Sequence, residues 1–165
     1  MTDTAVRGVP KSAIVALAVV AVCATAATAA GAVKLSDHNQ TKALRSEVLA
    51  SARQIAVDFA VYDYRHIDAD FTRVSNEAAG KFLSDFSTQS AGVRDAIVTL
   101  KAVSVAQIAS AGTVNVSSTS AQVIVALNRT VTNAQAPKGS SSAFGVQMFL
   151  VKRHGHWLAS QVNPL

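Results

Sequence analysis

KAVSVAQIASAGTVNVSSTSAQVIVALNRTVT, residues 101–132, is where the period of the chain changes. Before Lys101 apolar residues recur every three or four positions; after it β-branched residues alternate with small and polar ones. Val103 and Val105 open a strand that runs past Gly112 to Val116. Ser117-Ser118-Thr119-Ser120 reads as a turn. Val123, Val125 and Leu127 then share one face of a longer strand, with Ile124, Ala126 and Asn128 on the other, ending near Thr132. Asn133 to Ser142, holding Pro137 and Gly139, reads as a loop. Phe144 to Lys152 is a strand, Arg153-His154-Gly155 a tight turn, and His156 to Val162 the last strand; Gly155 supplies the positive φ that such a hairpin favours. Consecutive strands joined by short turns imply an antiparallel sheet.

The residues before 101 are helical in pattern. Leu44, Val48, Ala52, Ile55, Phe59 and Tyr62 form one stripe, which predicts an amphipathic helix from Thr41 to Tyr62, with Asp37 or Thr41 able to cap it. Asp68-Ala69-Asp70 precede Phe71 and Val74, the pattern of a short second helix with an aspartate cap. From Gly80 a third helix places Phe82, Phe86, Val93, Ile97 and Leu100 on one side. Ser90 interrupts that stripe and Gly92 weakens it, so a break is expected there. Helices first and a meandering sheet second is an α+β order: three helices on a curved antiparallel sheet, the first in its concave face.

Upstream, residues 13–33 carry no charge. At about 1.5 Å per residue this is roughly 30 Å of helix, the thickness of a bilayer's hydrocarbon core. The expected organisation is a cytoplasmic tail (1–12), a transmembrane helix (13–33) and an extracytoplasmic domain (34–165). A cleaved signal ending at Ala27-Thr28-Ala29 is the alternative. Arg7 and Lys11 precede the run, and Lys34, Lys42 and Arg45 follow it, so flanking charge alone does not orient it. Ala26, Ala27, Ala30 and Gly31 give its outer half a small-residue surface, which lets a partner helix approach closely.

The remaining 130 or so residues suffice for one core. The lone cysteine, Cys23, falls in the apolar run, so the domain has neither a disulfide nor a cysteine zinc site. The formal charge is +5, but the basic residues are scattered and carry no aromatic-basic motif, which speaks against nucleic acid. Charge is asymmetric. After Asp95 no Asp or Glu occurs, while Lys101, Arg129, Lys138, Lys152 and Arg153 do. A carboxylate acid, base or metal ligand must therefore come from the helical half. The densest polar segment is Tyr62, Asp63, Tyr64, Arg65, His66, Asp68 and Asp70. Acid-base chemistry is one reading of it; tyrosines at the core edge, an Arg65–Asp pair and aspartate caps are the other, and the one favoured. His154 and His156 make half a metal site at most. Trp157 reads as a core residue closing the sheet on the first helix. With no phosphate loop, nucleophile elbow or redox cysteine pair, neither catalytic residues nor a cofactor are expected.

Tyr62-Asp63-Tyr64-Arg65, Asp68-Ala69-Asp70, Gly80-Lys81-Phe82, Val131-Thr132-Asn133 and the Trp157-Leu158…Pro164 ending, in this order after an apolar run, resemble the Mce-associated membrane proteins of actinobacteria. The resemblance covers essentially the whole chain. It implies a nuclear transport factor 2-like cone, a fold also seen in an assembly component of type IV secretion. It further implies a non-catalytic accessory subunit, with Mce-type lipid transport subunits and the membrane as partners. Two other functions stay open. One is a lipid- or sterol-binding or enzymatic cone, marked by a pocket of Phe59, Phe82 and Phe86 with Asp58 or Tyr62 inside. The other is a secretion-type assembly scaffold.

Overall fold

The computed structural model describes residues 40–165. The expected tail, the 13–33 span with Ala26, Ala27, Ala30 and Gly31, and the Asp37 cap lie outside the described residues. No helix among the described residues is long and apolar enough to cross a membrane.

Helix α1 covers residues 40–60, followed by a two-residue strand β1 (Tyr62–Asp63), α2 (Ile67–Asn76) and α3 (Gly80–Leu100). Four long strands complete the chain: β2 (Val103–Val116), β3 (Ser120–Thr132), β4 (Ser140–Arg153) and β5 (His156–Pro164). They form one sheet in the order β1-β2-β3-β4-β5, every pair antiparallel. The α+β order expected from the change of period is the one observed.

The inward parity of β3 builds the core. Val123 and Val125 are fully buried and Leu127 nearly so, as are Met148 and Leu150 of β4. Val48, Ala52, Ile55, Ala56 and Ala60 of α1 pack against them, so α1 lies in the concave face of the sheet. Its three buried alanines allow the helix backbone to sit close to the strands. Each fully buried Val, Leu or Met contributes roughly 1.5–3 kcal/mol. Register shifts at Ile108/Ser110 and Thr113/Asn115 on β2, and at Ser160 on β5 opposite Phe149/Leu150, mark bulges that bend the sheet around α1. At the β4–β5 bulge the Ser160 hydroxyl donates to the Phe149 carbonyl at 2.9 Å.

Five features differ from the sequence reading. Helix α1 stops at residue 60, and Tyr62 pairs with Ser104 as a strand residue. The buried Ser104 hydroxyl donates to the Ala60 carbonyl at 2.7 Å, satisfying a group at the helix end. Thr41 lies inside the helix rather than at its cap. Asp68 and Asp70 are not caps: burial of Ile67 draws the start of α2 forward, with His66 at the cap position and both aspartates in the first turn. There they still favour the positive end of the helix dipole. Helix α3 does not break. Gly92 is exposed with open space around it, and one glycine costs only about 1 kcal/mol. Strand β4 also begins earlier than expected, at Ser140, because Ser140–Ser142 continue the pairing to Arg129–Val131.

Two turns fix the ends. Helix α3 closes with Lys101 in the left-handed region (φ 51°), Lys101 N–H donating to Val98 O and Ala102 N–H to Ile97 O. This is a Schellman closure whose apolar contact is Ala102 on Ile97, both buried in one cluster. The β4–β5 hairpin turns through His154 and Gly155, both at positive φ (51° and 84°), as a two-residue turn of the primed type requires.

Candidate functional site

The helices do not fill the cone. Beneath the sheet lies a cavity of about 750 Å³, walled by Phe59, Phe71, Phe82 and Phe86 from the helices and by Phe144 from β4. The rings contact one another edge-on: Phe59 to Phe82 at 5.6 Å and Phe71 to Phe86 at 5.2 Å between centroids. Val93, half exposed, and Ile97 extend the wall along α3. The helix stripe read from the sequence thus faces the cavity. Tyr62 lines it as well. A filled interior would have excluded a binding or active site; this interior is open, and it holds Phe59, Phe82, Phe86 and Tyr62 together.

Asp58 does not line this cavity. It is buried and turns to a separate polar cluster between α1 and α2. Gln54 Nε2 donates to Asp58 Oδ2 at 2.6 Å. Arg73 Nε lies 2.7 Å from Asp58 Oδ1 without hydrogen-bond alignment, a contact of charge, while Arg73 Nη2 donates to Asp70 Oδ1 at 2.9 Å. Asp70 Oδ2 accepts the Asp63 N–H at 2.9 Å, so it ties β1 to α2. Glu77, half-buried beside Asp58, is pushed up to about 7: burial is the first cause, then the charge of Asp58 and a hydrogen bond to it, with Arg73 pulling the other way.

The rest of the Tyr62–Asp70 segment is paired internally. Arg65 Nε donates to Asp63 Oδ1 at 2.9 Å, and the Arg65 guanidinium holds Asp63 down to about 2. Arg94 Nε donates to Asp68 Oδ1 at 2.7 Å, linking α3 to α2. Tyr62 and Tyr64 pack on the small core of Ile67, Ile97 and Ala102. Trp157 is buried, and its Nε1–H donates to Glu47 Oε1 at 3.1 Å. The same oxygen accepts Lys152 Nζ at 2.6 Å, so one carboxylate clips α1 to both strands of the last hairpin. His154 and His156 are both exposed at that hairpin. Among the described residues no cluster of three His, Cys, Asp or Glu could hold a metal ion.

Sequence reasoning passed over Arg129, Glu47 and Glu77. Arg129 was readable: it continues the inward parity of Val123, Val125 and Leu127, and so points under the cone. Its guanidinium lies 5.0 Å over the Phe144 ring, and its buried Nε has no hydrogen-bond partner. Glu47 and Glu77 sit off the apolar stripes, where only tertiary packing reveals their partners.

Several solved structures share this fold. An IcmL-like type IV secretion system protein from Legionella pneumophila aligns with TM-score 0.60 and 11% identity over 73% of this chain and 93% of that one. The periplasmic domain of DotI aligns with TM-score 0.56 and 18% identity over 72% and 93%. VirB8 of Agrobacterium tumefaciens aligns with TM-score 0.53 and 14% identity over 73% and 90%. Identities this low establish the fold alone. No curated protein matches the sequence significantly. The family profile described as "Uncharacterized protein Rv1363c/MT1408-like" matches residues 11–164. The chain therefore belongs to the Rv1363c/MT1408-like family.

Proposed function

We propose that this protein is a non-catalytic assembly subunit of a cell-envelope complex, anchored by residues 13–33 with its cone outside the membrane. The observation that carries the reading is the cone itself. An IcmL-like type IV secretion protein and the periplasmic domain of DotI share it over more than nine-tenths of their chains. The pairing of the Tyr62–Asp70 segment supports the same reading: Asp63 holds Arg65, Asp68 ties α2 to Arg94 of α3, and Asp70 ties α2 to β1, rather than facing the aromatic cavity. In this reading the domain positions partner subunits, and the small-residue face at Ala26, Ala27, Ala30 and Gly31 packs against a partner's span.

A second, finer reading makes the complex an Mce-type lipid transporter. It rests on the whole-chain order of Tyr62–Arg65, Asp68–Asp70, Gly80–Phe82 and Trp157…Pro164. Cross-linking in intact cells, followed by capture of the tagged full chain from solubilised membranes, separates the two. Stoichiometric Mce-type subunits assign the complex to lipid transport. Secretion-type subunits assign it to a secretion scaffold. A chain that emerges uncross-linked refutes both.

A further inference from the structure

We propose that the cavity beneath the cone binds a single-chain carboxylate amphipath, a long-chain fatty acid, with Arg129 anchoring the carboxylate. The walls are aromatic and aliphatic: Phe59, Phe82, Phe86, Val93 and Ile97 offer no charge. At about 750 Å³ the space is of small-molecule size, within the roughly 300–1,000 Å³ typical of such sites. Two charged residues line it, and they differ. Asp85 is neutralised on its own helix by Lys81 at 2.6 Å. Arg129 forms no ion pair among the described residues, and its Nε is buried without a partner.

An unpaired buried donor on a guanidinium is costly, and the chain has little means to satisfy it. No Asp or Glu occurs after Asp95, so neither β3 nor its neighbours β2 and β4 can offer a carboxylate. A ligand carboxylate matches the planar guanidinium fork and its single charge. A neutral sterol or alcohol fills the walls and can accept one hydrogen bond from Nε, but it leaves the guanidinium charge unbalanced, whereas a phosphate dianion needs more than one cation. The Phe144 ring under the guanidinium keeps the charge at a fixed place on the cavity wall. The proposal rests on the cavity and Arg129 and not on the assembly role.

The test is photolabelling of the full chain, held in phosphatidylcholine nanodiscs, by palmitic acid carrying a diazirine near its tail. Labelled residues are mapped by mass spectrometry. We expect labels on α3 and β4 around Phe86, Val93 and Phe144, displaced by excess palmitate. The corresponding diazirine alcohol should label these positions about 10–100-fold less, the worth of a charge-assisted hydrogen bond. Arg129→Met should lower acid labelling by the same factor, and Arg129→Lys should restore most of it. Equal labelling by acid and alcohol overturns the proposal, as does undiminished labelling of a folded Arg129→Met. So do labels outside the cavity, or displacement by lysophosphatidylcholine as effective as by palmitate. Should Arg129→Met lose its unfolding transition, the comparison of acid and alcohol on the unmutated protein decides alone.

Discussion

Replacing Glu77 by Gln should make the domain more stable in neutral and basic solution and leave it unchanged in acid. In the unfolded chain Glu77 loses its proton near the ordinary 4.5; in the fold it keeps the proton up to about 7, because burial and Asp58 disfavour a second negative charge. Between those values the folded state holds the extra proton, so stability falls as pH rises from about 4.5 to 7 and stays lowered above. The displacement corresponds to about 3 kcal/mol at 1.36 kcal/mol per pKa unit. Glu77 is only half-buried, and solvent screening reduces this to about 1–2 kcal/mol. Gln keeps the shape, carries no charge and donates its amide to Asp58. Urea unfolding at half-unit intervals from pH 4 to 8 measures the difference. We expect the two proteins to coincide near pH 4 and to diverge by about 1–2 kcal/mol at pH 8, the variant being the more stable. Parallel curves, or a variant less stable at pH 8, refute the raised proton affinity of Glu77 in the fold.

Two further outcomes follow from the packing. Lys101→Gly should raise stability by about 0.5–1 kcal/mol, visible as a higher melting temperature, because Lys101 holds the left-handed position of the Schellman closure at φ 51°. Leu127→Ala should cost about 2–5 kcal/mol in urea unfolding, since Leu127 is almost fully buried in the main core; a loss below 1 kcal/mol would mean that the nearby cavity lets the site relax.

The sheet was more legible than the helix ends. Alternation at Val123, Val125 and Leu127 is a period that burial alone sets, and the core follows it. The start of α2 was misplaced because a cap is a local signal, and the burial of Ile67, a tertiary effect, overrode it. Continuity of α3 through Gly92 has the same origin: Phe82 and Ile97 are anchored in separate cores on either side of the glycine. Of the site, the aromatic wall was visible as a stripe. Tyr62 belongs to β1 rather than to the end of the first helix, and of the alternatives Asp58 or Tyr62 it is Tyr62 that lines the cavity. Asp58 follows neither stripe nor motif; its direction is set by Arg73, which approaches from another helix.

The assembly role rests on what happens to partners when this chain is absent. Quantitative mass spectrometry of envelope fractions from a deletion strain, against the same strain complemented with the full chain, measures that directly. The account predicts a selective fall in the subunits of one envelope complex, restored on complementation. Unchanged levels of every envelope subunit, with lipid uptake and secretion intact, would contradict it.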